Sequence, residues 1–358
     1  MVLSDAIPER NGVGSYYRDL MGYLATHGVQ MEMIPAKANC CFRAPGISFR
    51  LPGDYTQRLH VPNVARIMRR IHEHRPDVII APTVGPFALL ALMLARRHSI
   101  RLVVGYHTAY DKLARLYWRG SRAYISSRYL EGASRLLIRA ADAVAVNTPE
   151  MADEAWRFGA SNVVCIGTTL ACSFIQTPLA PPPRSLSNIL FAGRLAAEKN
   201  LEALMDAAAT CPQFQFTIAG DGPLRPALEA RARALPNVHM PGWLNREQLL
   251  DKMDAADLIV LPSHIESFGS VALEGMARGR LVLVSPRCGI AAWPELAAGL
   301  YCQGENESLA AAFTRIAAAS QPAIAAKSRA ARLATEALND ATIGQWLDLL
   351  ERKNIVRS

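Results

Sequence analysis

Two glutamates enclose seven residues in the run Glu266-Ser267-Phe268-Gly269-Ser270-Val271-Ala272-Leu273-Glu274. The apolar run 258–263 just before them reads as a strand, so 264–268 is the loop at its carboxyl end and Gly269 opens the helix that carries Glu274. The first turn of a helix leaves backbone N–H groups unpaired, so those from Ser267 to Ser270 suit a diphosphate or sugar hydroxyls. Glu266 in the loop and Glu274 two turns into the helix can hold two different polyols, such as a sugar and a ribose. As a bare spacing the pair reads first as a surface glutamate and a helix glutamate with no shared role; the strand before it, the Phe-Gly pair and the Glu-Gly-Met-Ala-Arg-Gly helix around it reverse that reading.

A second set follows the apolar run 188–192, in Gly193-Arg194-Leu195-Ala196-Ala197-Glu198-Lys199-Asn200. Arginine grips two phosphate oxygens at once and lysine adds a point charge. Arg194 and Lys199 together could neutralise a leaving diphosphate without a metal; alone, they fit a solvated loop equally well. Gly12 and Gly14, in Asn11-Gly12-Val13-Gly14-Ser15, follow the first strand, where a flexible glycine loop lets backbone approach a ligand. His107 ends the run 101–107 within Gly-Tyr-His-Thr, either as a hydrogen-bonding catalytic group or as a structural one. No Asp-x-Asp occurs in the chain, which argues against an essential metal.

The elements that must position these residues are legible as short apolar runs. They fall at 77–82, 101–107, 141–147 and 162–167, then at 188–194, 215–221, 258–263 and 281–286. Continuous Val- and Ile-rich runs fit parallel strands buried on both faces. Helix-like stretches at 85–98, 150–158, 201–209, 223–235, 246–256, 269–278 and 309–319 separate them, which makes an α/β doubly wound architecture. The stretch 177–187 holds four prolines and opposes both helix and central strand. The expectation is an N-terminal domain over 1–172, a linker over 173–187, and a second domain over 188–341, with a last helix at 342–353 able to pack on either domain. A chain of 358 residues exceeds one ordinary core. Ligands of such sheets bind at the carboxyl ends of the strands, here in a cleft between domains.

The composition excludes several classes. Hydrophobic residues at 51% and charged residues at 20% fit a folded globule rather than a disordered chain. No apolar run reaches membrane-span length, and no secretory leader pattern opens the chain. Seven scattered cysteines without a C-x-x-C pair read as reduced cytosolic thiols. The net charge of +8 lies wholly in residues 1–165, with 21 Lys+Arg against 13 Asp+Glu, while 166–358 carries 18 of each.

The order and spacing of G-R-L-x-x-E-K-N, then A-G-D-G-P at 219–223, then P-S-x-x-E-S-F-G-x-x-x-L-E-G-M-A resembles family 4 of the retaining glycosyltransferases. The likeness is strong over 188–303 and collinear over 1–165. It implies the GT-B fold, two facing Rossmann-like domains. It also implies that Arg194 and Lys199 bind the donor diphosphate, that Glu274 holds the ribose and Glu266 the transferred sugar, and that Gly220, Ser267, Phe268 and Gly269 belong to the donor site. The Gly12–Gly14 loop would lie over the sugar and phosphates, and His107 would contact the transferred sugar. The chain departs from the family where Gly167-Thr168-Thr169-Leu170 replaces the usual Gly-Val-Asp and Cys288-Gly289 replaces Gly-Gly.

The expected reaction is metal-independent, retaining transfer of a hexosyl group from a UDP- or GDP-sugar, with His107, Arg194, Lys199 and Glu266 as the catalytic set and no permanently bound cofactor. The acceptor side is read from 110–140, where seven Lys+Arg stand against two Asp+Glu among Leu, Tyr and Trp. That fits a cytoplasmic enzyme seated peripherally on the inner face of an anionic membrane, with a glycerolipid or glycan lipid as acceptor. A solvated helix face fits as well. A soluble or polysaccharide acceptor and a nucleotide-sugar epimerase of the same fold are the alternatives. Nucleic acid is not expected, because the basic helices carry no stacking aromatic motif.

Overall fold

The computed structural model describes residues 1–5, 12–35, 48–51, 54–108 and 120–351. The chain divides into two compact units. The first comprises Met1–Gly53, Gln57–Thr169 and Asp340–Ser358; the second comprises Asp54–Thr56 and Leu170–Asn339.

The first unit is built on β1 (Val2–Ser4), β2 (Met33–Pro35), β5 (Val78–Ala81), β6 (Arg101–Tyr106), β7 (Ala143–Val146) and β8 (Val163–Cys165), in the order β2-β1-β5-β6-β7-β8. Every pairing is parallel. A separate two-stranded sheet joins β3 (Ser48–Leu51) and β4 (Asp54–His60). The six-stranded sheet explains why its strands read as unbroken apolar runs. Successive side chains point to opposite faces, and both faces are covered. Ile79, Leu102, Val104, Val144 and Val146 enter one core, whereas Ile80, Val103, Ala143 and Ala145 enter another. The helices that supply this cover are α1 (Gly12–Thr26), α2 (Val64–His74), α3 (Pro86–His98), α4 (Gly120–Ala140) and α5 (Pro149–Arg157).

The second unit repeats the plan. A short helix, α6 (Cys172–Gln176), precedes β9 (Asn188–Ala192), α7 (Leu201–Thr210), β10 (Gln215–Ala219), α8 (Arg225–Ala232), β11 (Val238–Gly242), α9 (Arg246–Ala255), β12 (Leu258–Leu261), α10 (Ser270–Ala277), β13 (Leu281–Val284), β14 (Tyr301–Cys302) and α11 (Leu309–Ala317). The parallel sheet runs β11-β10-β9-β12-β13-β14. The strands step one way from β9 to β11 and the other way from β12 to β14, so the order reverses between β9 and β12. In open α/β sheets that reversal leaves a crevice at the strands' carboxyl ends.

All eight apolar runs of the sequence are strands. The sequence carries no comparable signal for the short edge strands β2, β11 and β14, the β3–β4 pair, or helices α1, α2 and α6. The final helix is also longer than expected. It is α12 (Gln321–Glu351), of 31 residues, rather than 342–353 alone. Ile324, Ala331 and Leu338 pack in cores of the second unit, and Trp346 and Leu349 in a core of the first. No single apolar stripe runs its length, so its first half carries no clear periodic signal.

The junction between units falls at Thr169 and Leu170, and the proline-rich stretch belongs to the second unit. Prolines lack an N–H but keep a carbonyl acceptor. Two buried arginines after α10 supply the donors. Arg278, with no exposed surface, donates to Thr177 O at 2.8 Å, Pro178 O at 2.6 Å and both carboxylate oxygens of Asp254 at 2.8 and 2.7 Å. Arg280 donates to Ala180 O at 3.0 Å and Pro181 O at 2.7 Å. The linker stretch is strapped to the second unit at least through Pro181, because two guanidinium forks hold its carbonyls.

Removing Arg278 leaves Asp254 and these carbonyls unpaired. Arg278→Met is expected to destabilise the second unit by about 3–5 kcal/mol in urea unfolding. Arg315→Ala, which breaks a half-exposed pair with Glu307, costs under about 1 kcal/mol. Equal effects from the two substitutions would refute the strap.

Candidate functional site

The sequence-singled residues of the second unit converge on the β9/β12 crevice. β9 ends at Ala192, and Gly193 (φ +156°) turns the chain by donating to Ala219 O at 3.0 Å. Leu195 is fully buried and anchors the loop, leaving Arg194 partly exposed before it. A single 3-10 turn over Ala197–Lys199 then ends on Asn200 in the left-handed conformation, φ +54°. The Asn200 amide donates to Pro262 O at 3.1 Å, fastening this loop to the one after β12.

Gly220, at the end of β10, has φ +143°, and a Cβ there would collide with the carbonyl oxygen of Gly193. A Cβ at Gly222 would likewise collide with Leu195 O. Both glycines let two turns pack backbone to backbone, so Gly220 acts here through the shape of the Arg194 loop.

The loop after β12 is held from both sides. His264 N and Ile265 N donate to Glu198 O at 2.7 and 3.3 Å, while Gly289 N donates to Glu266 O at 2.9 Å and Ile290 N to Phe268 O at 2.7 Å. Phe268 is buried in an edge-type contact with Trp293, ring centroids 6.1 Å apart, so its side chain is an anchor. Gly269 caps α10 in a left-handed conformation, φ +103°, with no side-chain cap bond. The N-terminus of α10 thus keeps its capacity for an anion. A Cβ at Gly275 would stand 2.6 Å from Ile259 Cγ1, which shows how closely α10 lies on β12. This packing holds Glu274, half-buried, on the second turn.

Lys199 and Glu266 form an ion pair across the crevice, with side chains 15% and 17% exposed. Burial acts to lower the pKa of the Lys199 ammonium, but the Glu266 carboxylate outweighs it and the net shift is upward. Arg194 faces the buried carboxylate of Glu198 at 3.6 Å. Glu198 was not singled out from sequence. It pairs with Arg194 through its side chain and holds the Glu266 loop through its carbonyl. Cys288 lies behind the pair, donating to Leu261 O at 3.4 Å, and burial pushes its thiol up to about 12.

In the first unit, Gly12 and Gly14 are not a loop. They lie in the first turn of α1, Gly12 exposed and Gly14 buried, because the helix begins earlier than the glycines suggest. Asn11 lies outside the described residues. His107 follows β6, its ring buried, with Nε2 at 2.8 Å from the Tyr17 hydroxyl. Burial lowers its pKa to about 4, so the ring is neutral near pH 7. Nothing in the sequence pairs Tyr17 with His107, since 90 residues separate them.

Of the basic stretch 110–140, the structure describes the part from Gly120 onward as α4. Arg128, Tyr129, Arg135, Leu136 and Arg139 share its exposed face, and a cavity of about 360 Å³ is lined by Arg96, Gly132, Arg135, Leu136, Arg139 and Ala140. No helix among the described residues is long and apolar enough to cross a membrane.

Residues 10–169 match the model of "Glycosyltransferase Family 4", and residues 187–319 that of "Glycosyl transferases group 1". A sulfoquinovosyl transferase of Arabidopsis thaliana is 27% identical over 237 residues, 63% of this chain and 45% of that protein. A GDP-mannose-dependent alpha-(1-6)-phosphatidylinositol dimannoside mannosyltransferase of Mycobacterium tuberculosis is 30% identical over 205 residues, 53% of this chain and 52% of that protein. The chain spans about half the length of these two curated relatives. Among solved structures, a sucrose-phosphate synthase from Thermosynechococcus elongatus superposes with a TM-score of 0.77 at 20% identity, covering 97% of each chain. Anabaena HepE in complex with UDP-glucose gives 0.69 at 17% identity, covering 97% of this chain and 99% of that one. The fold is GT-B.

The burial of Cys288 has a chemical consequence. Iodoacetamide at pH 8, read by peptide mass spectrometry, is expected to label exposed Cys172 and Cys302 in the native protein while sparing Cys288. Labelling of Cys288 at a comparable rate would contradict its place behind Lys199 and Glu266.

Proposed function

The chain belongs to glycosyltransferase family 4, and on that premise we propose that it moves a sugar from a UDP- or GDP-sugar, with retained anomeric configuration, to an acceptor lipid or glycan at an anionic membrane surface. The observation that carries the donor half is the crevice between β9 and β12, where Arg194, Lys199, the uncapped start of α10 and the carboxylates of Glu266 and Glu274 lie at the carboxyl end of the sheet.

In this reading Arg194, Lys199 and the N–H groups from Ser267 to Ser270 take the diphosphate. Charge develops there as the bond to the anomeric carbon breaks, so contacts that strengthen with that charge lower the barrier. Two cations and a helix terminus offset it without a divalent ion. Glu274 takes the ribose hydroxyls. Glu266 exchanges the Lys199 ammonium for hydroxyls of the sugar, and Lys199 exchanges Glu266 for phosphate. The acceptor hydroxyl approaches on the face the diphosphate leaves, and a departing phosphate oxygen receives its proton. His107, with Gly12 and Gly14, is assigned to the transferred sugar on the family resemblance. Both donor bases stay in the proposal, since one structural neighbour holds UDP-glucose and one relative is named as GDP-mannose-dependent.

The membrane half rests on α4. Its exposed arginines and Leu136 combine cationic and apolar contact, as does the end of α3 with Met93, Arg96 and Arg97. Such a face binds anionic headgroups at the bilayer boundary. The relative named for a phosphatidylinositol dimannoside supports a lipid acceptor.

Three measurements test these assignments. Lys199→Ala and Glu266→Ala are each expected to lower donor turnover by about 10²–10³ in folded protein, and losses of only a few-fold would sink the donor reading. In a panel of UDP- and GDP-sugars, the true donor at 100 Kd stabilises the native state by about 2.7 kcal/mol, read as a rise in Tm confined to one base. The full chain is expected to sediment with phosphatidylglycerol vesicles at low salt, and an Arg135→Glu, Arg139→Glu double variant to remain in the supernatant. Wild-type protein that stays in the supernatant would remove the membrane half.

A further inference from the structure

His107 and Tyr17 hold each other in a closed arrangement. Tyr17 sits in α1 with no exposed surface, and His107 stands one residue beyond β6. The Tyr17 Oη lies 2.8 Å from His107 Nε2. The edge of Tyr16 packs against the imidazole at 5.4 Å between centroids and 69° between planes. Position 105 in β6 must be glycine for the pair to exist, because a Cβ there would collide with the Tyr17 hydroxyl and stand 2.7 Å from Nε2.

Two proton arrangements are open to such a pair. In one, the phenol donates to Nε2 and the ring carries its proton on Nδ1. In the other, Nε2–H donates to Oη, and the phenol hydrogen needs an acceptor of its own. Among the described residues Tyr17 has His107 as its one hydrogen-bond partner. The second arrangement therefore strands a hydroxyl hydrogen in a dry core, whereas the first puts the ring proton on Nδ1, which is not among the fully buried side-chain atoms that lack a partner, so the second is the costlier choice. Burial keeps both groups neutral, raising the phenol well above its usual range and lowering the imidazole to about 4. No change of charge resolves the choice differently near pH 7.

We infer that Tyr17 is a positioning residue that locks His107 in the Nδ1–H tautomer, so that the ring offers a hydrogen-bond donor to the transferred sugar and cannot act there as a base. The inference rests on the proposed contact of His107 with that sugar. The neighbouring Tyr16 is engaged elsewhere, since its hydroxyl accepts from Trp346 Nε1 in α12 and donates to Gly167 O at 3.3 Å. It leaves the His107 proton to Tyr17.

The test reads the tautomer directly. Full-length protein is labelled with ¹⁵N-histidine, and the His107 signals are assigned by their loss in His107→Gln. The expected wild-type spectrum shows a pyridine-type Nε2 and a pyrrole-type Nδ1. A pyrrole-type Nε2 overturns the inference, and this readout needs no variant of Tyr17. Tyr17→Phe removes the donor and is expected to mix the two tautomers and lower kcat about tenfold, the loss of one neutral hydrogen bond, with donor KM little changed. Folded Tyr17→Phe that keeps the wild-type tautomer also overturns the lock. A mixed tautomer with wild-type kcat leaves the lock standing and overturns the contact of His107 with the sugar, which separates the two readings.

Discussion

A parallel sheet buried on both faces can offer chemistry only at its ends. That constraint governs each unit. Ile189, Phe191, Phe216, Leu258 and Leu283 fill one core of the second unit, and Leu190, Ile259, Val282 and Val284 fill the other. Every residue of β12 and β13 is buried, so none is left to meet a ligand from the sheet face. The side chains of the candidate site therefore come from the turns after β9 and β12 and from α10, and the precision of the site is the precision with which those segments are held.

The turns are held largely by backbone. Gly220 and Gly222 exist so that the β10 turn can lie against the β9 turn without a Cβ between them. The Glu198 carbonyl and the Asn200 amide tie the β9 loop to the β12 loop, and the latter pairs in turn with the segment after β13. On this frame the charged groups are pre-arranged. Lys199 rests on Glu266 and Arg194 faces Glu198, so neither cation is left alone in a partly dry crevice. On the proposed function, a ligand bringing phosphate and hydroxyl groups would replace these contacts with equivalent ones, at little cost in reorganisation.

Elsewhere, buried polar side chains settle how the chain is routed. Arg278 and Arg280 convert a proline-rich stretch into part of the second unit by donating to its carbonyls. Near its end, α12 supplies Trp346 to the hydroxyl of Tyr16, and the Leu349 carbonyl accepts from buried Arg101 at 2.7 Å. These bonds give the last turns of α12 a place in the first unit's core.

The central strands and the charged residues of the β9/β12 crevice are legible in the amino-acid order alone. Each central strand is a continuous apolar run because both of its faces are covered, and Arg194, Lys199, Glu266 and Glu274 are visible because charge in such a pattern is conspicuous. The order of residues is less informative where local signals are weak. Edge strands such as β11, with Pro241 inside it, lack the buried pattern of their neighbours. The glycines at 12 and 14 suggest a turn, but Tyr16, Tyr17, Leu20 and Leu24 bury one face of a helix there. It takes the folded chain to make Phe268 an anchor, to set Glu198 as a brace between two loops, and to bring Tyr17 to His107. Such contacts join residues distant in the chain through the order of the strands, and no local spacing encodes that order.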